Sequence, residues 1–91
     1  MAAVEETGEQ KVGEVVGYYA RIGVAAVRLS EGSLRVGDTI RIRGHTTDFT
    51  QPVESMEMDH KPIQEAGRGT EIAIKVQERA RQKDEVFRVV P

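Results

Sequence analysis

The apolar positions of the chain fall into short runs with a period near two, each closed by glycine or by a turn-forming pair. Such alternation puts successive side chains on opposite faces of a strand. The first run holds Val12, Val15, Val16, Tyr18, Tyr19, Ile22, Val24, Val27 and Leu29. β-Branched and aromatic residues of this kind suit a pleated, half-buried surface. Gly13, Gly17 and Gly23 interrupt the run, and each would cost about 1 kcal/mol in a helix interior. The pattern predicts a strand over residues 12–19, a turn at Ala20-Arg21 and a strand over 22–29. Gly13 and Gly17 inside the first strand signal bends or close backbone approach.

Turns come next at SEGS, residues 30–33, and at RVGD, residues 35–38. Gly37 is free to take positive φ and Asp38 can bond its own backbone. A strand over 39–43 succeeds them, with Ile40 and Ile42 on one face and Arg41 and Arg43 on the other. GHTTDFTQP, residues 44–52, reads as a loop of turn formers in which Thr46, Thr47 and Asp48 cap a turn and Phe49 packs beneath it. VESMEMD, residues 53–59, predicts a strand whose alternation slips at Ser55-Met56, the mark of a bulge. HKPIQEAGRG, residues 60–69, is a connection in which Pro62, Gly67 and Gly69 oppose helix. TEIAIKV, residues 70–76, alternates cleanly. QERARQKDE, residues 77–85, is charged, with room for one helical turn, and VFRVV, residues 86–90, is the last strand.

The predicted core is Val12, Val16, Val24, Val27, Leu34, Val36, Ile40, Ile42, Met56, Met58, Ile72, Ile74, Val76, Phe87 and Val89. Six or seven short strands with glycine-rich turns and almost no helix predict an all-β fold, a small closed or nearly closed β-barrel.

Composition narrows the function. The chain has 91 residues, which suits one domain and one core. It has no cysteine, so disulfides, thiol catalysis and zinc–thiolate sites are excluded. No apolar run approaches the ~20 residues of a membrane span, and no secretory signal pattern is seen at the N-terminus. A cytoplasmic protein is the default expectation. The net charge of -2 comes from 13 basic and 15 acidic residues. Residues 1–10 carry three of the acids, Glu5, Glu6 and Glu9, and no base, and are expected to be a disordered acidic tail ahead of a single barrel domain at 11–91. Without those three, 13 bases face 12 acids, so bulk charge does not announce nucleic acid. Any basic site must be a local patch.

Arg41 and Arg43, extended by Arg28 and Arg35, are the candidate patch for a phosphate backbone. The competing and preferred reading is a solvated barrel exterior balanced by acids. Tyr18 and Tyr19 are adjacent on a strand, so at most one is exposed to stack on a base. Met56 and Met58 share a face and read as core filler. His45 and His60 lack metal-ligand spacing, and no nucleophile–base arrangement is present. No enzyme activity, cofactor or metal is expected.

Three motifs in order then suggest a family. Leu34-Arg35-Val36-Gly37-Asp38, Val53-Glu54-Ser55-Met56-Glu57, and Ala66-Gly67-Arg68-Gly69 leading to Ile72-Ala73-Ile74-Lys75-Val76 resemble the second, β-barrel domain of translational GTPases of the elongation factor Tu type. The resemblance covers residues 11–90 and implies a translation-protein domain II fold. No phosphate loop of the G-x-x-x-x-G-K-[ST] kind exists, and Gly67 to Thr70 is too short and lacks the lysine, so no nucleotide is expected. In elongation factors this barrel receives the aminoacylated end of transfer RNA, at the strand and loop that here run from Glu57 to Ile63. Glu57 falls on a family glutamate. His60 stands where an arginine is usual, and Glu71 where an asparagine is usual; loss of the arginine removes charge-assisted bonds to phosphate or sugar. The resemblance implies a stand-alone, non-catalytic elongation-factor-like module that binds RNA, the ribosome or a translation protein and no membrane. Its candidate surface is Arg28, Arg35, Arg41, Arg43, Glu57, His60 and Arg68. The alternative is a protein–protein adaptor or accessory barrel outside translation, of the sort appended to U32 peptidases.

Overall fold

The computed structural model describes residues 8–90, and every regular element among them is a strand. The strands are β1 (Glu9–Tyr19), β2 (Val24–Arg28), β3 (Leu34–Arg35), β4 (Thr39–Arg43), β5 (Asp48–Pro52), β6 (Met56–Met58), β7 (Lys61–Ile63), β8 (Glu65–Ala66), β9 (Glu71–Lys75) and β10 (Glu85–Val89). Eight of them form one antiparallel sheet in the order β5-β4-β10-β1-β2-β9-β6-β7, and β3 pairs with β8 in a separate ribbon. The all-β class holds. The strand count exceeds the expected six or seven, and the hydrogen-bonded ladder is open, with β5 and β7 at its ends. No described helix is long and apolar enough to cross a membrane.

Register decides which residues face the core, because side chains directly opposite each other share a face. One inner row runs Tyr18, Ala25, Ile74, Met56, Ile63 across five strands. Another joins Val15, Val27 and Ile72, and a third joins Phe49, Ile42, Val86 and Gly13. Leu29, Leu34, Ile40 and Val53 complete a core that water does not reach. Full burial of such side chains contributes about 1.5–3 kcal/mol each.

β1 carries two register shifts, one between Lys11 and Gly13 against β10 and one between Val15 and Gly17 against β2. Each extra residue reverses the phase of the strand beyond it. The inward residues of β1 are therefore Val12, Val15 and Tyr18, three apart, and Val16 is only half-buried. Gly13 allows the first shift, since a Cβ there would run into the carbonyl of Arg28. The phase also corrects β2 and β10: Ala25 and Val86 are buried, while Val24, Phe87 and Val89 are half-buried, as are Val36 and Met58.

Several boundaries differ from the sequence expectation. Ile22 lies in the turn that closes at Tyr19–Ile22 and Ala20–Gly23 rather than in a strand. Residues 48–52, expected as loop, form β5, because Phe49 and Gln51 alternate inward against Ile42 and Ile40. The strand expected over 53–59 shortens to β6, whose pairing with β9 is regular, so the bulge sits in β1 and not at Ser55-Met56. The connection over 60–69 contains β7 and β8. Residues 77–84 form turns without helix, with the Asp84 carboxylate accepting from the Arg81 amide at 2.8 Å. Glu9 and Gln10, assigned to the tail, pair with Val89 and Arg88; the rest of that expected tail, residues 1–7, lies outside the described residues. Gly37 holds φ 104°, as its turn required.

A side chain links the β5 edge to an interior strand on the far side of the sheet. Gln51, 4% exposed, donates to the Lys75 carbonyl at 2.8 Å and accepts from the Gln77 amide at 2.8 Å. This brings the β5 edge against the end of β9. The β3–β8 ribbon lies beside it, held by Val36 to Gln64 and Gly37 to Val53 bonds.

Candidate functional site

The arginines of the proposed basic patch do not converge. Arg43 and Arg28 stand in one outer row that runs Asp48, Arg43, Glu85, Glu14, Arg28, Glu71 across six strands. Each arginine thus has a carboxylate-bearing residue on both sides, four acids to two bases. Arg43 also stacks its guanidinium 4.8 Å from the Phe87 ring centre. Arg41 belongs to the next row and is fully engaged. Its Nε and Nη2 donate to both oxygens of Asp48 at 2.8 and 2.7 Å, and its Nη1 donates to Glu9 at 2.8 Å. The Asp48 hydrogen bonds, then Glu9, raise the Arg41 pKa; the same guanidinium holds the Asp48 carboxyl below its ordinary value. Lys11 is likewise raised, by its bond to Glu85 first and by Glu31 as well, against the cost of burial. Arg35 sits apart on the ribbon, 3.9 Å from Glu65, and Arg68 lies exposed between β8 and β9. Around Arg41 and Lys11 the exterior is ion-paired, while Arg28 and Arg43 lie between carboxylate-bearing neighbours without forming an ion pair among the described residues.

A different surface is open. On the outer face of β2, β9 and β6 a groove of about 490 Å³ lies between Tyr19 and Ile22 on one side and Glu57, Asp59, His60 and Glu71 on the other. Its floor is Ala26 and Ala73, with Val24 beside them, and the row they belong to continues to Gly17 and Glu57. Gly17, Ala26, Ala73 and Glu57 are successive partners across β1, β2, β9 and β6. Larger residues in that row would fill the groove. Tyr19 leans over Gly17, where an added Cβ would lie 3.6 Å from the tyrosine hydroxyl. Tyr19 and Ile22 are 56% and 58% exposed, while Tyr18 packs against the core.

The acidic side is set by a tight hairpin. Met58 pairs with Lys61, leaving Asp59 and His60 as the two turn residues, with φ 53° and 67°. Two consecutive positive φ values match the handedness of a twisted two-residue hairpin. Asp and His tolerate this region better than most residues. The turn carries both side chains to the rim of the groove.

The groove gathers Glu57 and His60 from the sequence candidates and excludes Arg28, Arg35, Arg41, Arg43 and Arg68. Sequence reasoning did not find Ile22, Asp59 or the small-residue row. The row's signal, Gly17, Ala26 and Ala73 at outward positions, becomes visible only when three strands are aligned through the shift in β1. No described group of three carboxylate or imidazole side chains is gathered closely enough to hold a metal ion.

Comparison with known proteins adds identity to this geometry. The family model for elongation factor Tu domain 2 matches residues 23–84. A collagenase of Porphyromonas gingivalis is 36% identical over 78 residues, 85% of this chain and 22% of the collagenase. An uncharacterized protease of Methanocaldococcus jannaschii is 35% identical over 78 residues, 85% of this chain and 19% of that protein. The chain thus spans about a fifth of the length of these curated relatives. Among solved structures, the C-terminal domain of a Geobacillus thermoleovorans protein assigned to the U32 peptidases superposes with a TM-score of 0.80 at 22% identity, covering 87% of this chain and 91% of that one. These findings overturn the translation reading. The relatives that match along most of the chain are named as collagenase and protease, and what is shared with elongation factors is the fold.

Proposed function

The chain belongs to the elongation factor Tu domain 2 family, and we propose that it serves as a non-catalytic accessory β domain of a U32-type peptidase. The observation that carries the reading is the likeness to a collagenase and a protease across 85% of this chain. The groove itself offers carboxylates and apolar side chains, which suit binding of a polypeptide segment. The relatives are named as enzymes; in this reading the chemistry belongs to the remaining four-fifths of such proteins. The domain's part is to hold a protein segment against the peptidase. The Gln51 contact links β5 to the end of β9, and the groove lies on the outer face of β2, β9 and β6.

The test is a domain exchange. The matched region of the Porphyromonas gingivalis collagenase is deleted or replaced by residues 8–90 of this chain, and collagen hydrolysis is measured. The deletion should lose activity and the replacement should recover it. The 91-residue chain alone should release no fragments from collagen or gelatin. Hydrolysis by the chain alone, or a folded chimera no more active than the deletion, would overturn the reading.

A further inference from the structure

We propose that the groove on the outer face of β2, β9 and β6 binds an extended polypeptide segment that presents a lysine or arginine beside an apolar side chain. The proposal rests on the accessory-domain reading for the source of that segment; the chemistry of the groove stands on the geometry alone.

Two regions of the sheet's outer face use their charges differently. On the face around β4 and β10, Arg41 and Lys11 are held by Glu9, Asp48, Glu31 and Glu85. In the groove, Glu57, Asp59 and Glu71 take part in no ion pair and accept no side-chain hydrogen bond among the described residues. The nearest cations by register are Arg28, opposite Glu71, and Lys61, opposite Met58 between Glu57 and Asp59, and neither is within ion-pair distance of a groove carboxylate. Three carboxylates without an ion pair around one cleft repel phosphate and attract a cation. They are too spread to ligate a metal ion, so the cation must come on an arm long enough to reach them.

The opposite wall selects what carries that arm. Tyr19 and Ile22 are exposed side by side above a floor that Ala26 and Ala73 keep low. An apolar side chain fits against this wall. A lysine or arginine stem can lie along the floor while its head reaches the acidic rim. An arginine fork gains most, because it can donate in pairs to a carboxylate. The volume of about 490 Å³ lies within the range of sites that take a few side chains or a small ligand. A polypeptide supplies both halves of this recognition at adjacent residues.

The experiment is a nuclear magnetic resonance titration of the ¹⁵N-labelled 91-residue chain with capped decapeptides. One peptide carries a central Leu-Arg in a Gly-Ser background; two others carry Leu-Glu and Ser-Arg. The Leu-Arg peptide should shift amides of residues 17–26, 57–60 and 71–73 saturably, and less so in high salt. The Leu-Glu peptide, and the triple variant Glu57→Gln, Asp59→Asn, Glu71→Gln, should each bind at least about tenfold more weakly. Ile22→Ser should weaken the Leu-Arg peptide but not the Ser-Arg peptide. Glu54→Gln, an exposed carboxylate outside the groove, should change nothing, and unchanged melting temperatures certify the folds. Equal affinity for Leu-Arg and Leu-Glu, shifts outside the groove, or an unaffected triple variant would overturn the proposal. So would saturable binding of a short RNA to the same residues, or concentration-dependent shifts without peptide, which would assign the groove to a second copy. If the domain exchange succeeds and the peptides do not bind, only the groove proposal fails. If the peptides bind and the exchange fails, only the peptidase reading fails.

Discussion

Replacing Gln51 with Leu tests whether one side chain holds the β5 edge against the end of β9. In the native fold its amide makes two 2.8 Å bonds across the gap between β5 and the end of β9, to the Lys75 carbonyl and from the Gln77 amide. Leucine keeps the volume and removes both. A made hydrogen bond contributes about 0.5–1.5 kcal/mol, and leaving a buried partner unpaired costs about 1–3 kcal/mol. Lys75 and Gln77 are exposed residues, so water can recover part of the loss, and the sum comes to about 2–3 kcal/mol. For a chain of 91 residues total stability is about 5–14 kcal/mol, so the change is large. It should lower the melting temperature by about 8–24 °C. Urea unfolding followed by circular dichroism gives the free energy, and amide exchange gives the location. Gln77 should exchange faster in the variant, while Ile74 in mid-strand should be limited by global unfolding in both proteins. A loss under about 0.5 kcal/mol, or unchanged exchange at Gln77, would refute the view that this contact fastens β5 to the end of β9.

Ile74→Ala empties a fully buried site in the longest inner row and should cost about 2–5 kcal/mol in the same urea assay. Gly37→Ala meets no neighbour within 4 Å but keeps φ 104°, so its cost should be strain alone, about 1–2 kcal/mol. Gly13→Ala, whose Cβ would strike the Arg28 carbonyl, should cost more than Gly37→Ala and disturb the amides of both β1 and β2. Acid should destabilise the fold through Asp48. Its carboxyl is lowered in the folded state by Arg41, so that contribution is present above the unfolded value of 3.8 and is lost as pH falls through the folded one. Urea midpoints measured from about pH 5 downward should therefore drop less for Asp48→Asn than for the parent chain. Parallel curves would remove Asp48 from the account.

The amino-acid order alone makes the protein all-β. Period-two runs with glycine between them cannot bury one face as helices, and that conclusion needs no contact between distant residues. It also dictates the Gly37 turn, where only a few residues separate Val36 from Thr39, and the inward set of β4 and β9, because Ile40, Ile42, Ile72 and Ile74 leave a single phase open. It favours a balanced exterior over an arginine stripe, since bases and acids are nearly equal in number outside residues 1–10. Pairing between distant strands settles the rest. The phase of β1 turns on two extra residues, at the positions that Gly13 and Gly17 mark; only pairing to β10 and β2 shows that they shift the register, and with them Val15 replaces Val16 in the core. VFRVV can bury either set of alternate residues until Ile42 selects Val86. β5 hid among turn formers because its inward residues are one phenylalanine and one glutamine, and the glutamine is buried only because distant backbone groups at Lys75 and Gln77 satisfy it. The groove was hidden for the same reason. Gly17, Ala26 and Ala73 are ordinary one at a time, and they become one small-residue row only when register sets three strands side by side. Local patterns specify how each segment presents its faces. Which faces meet is a property of the register, and register is fixed by contacts far apart along the chain.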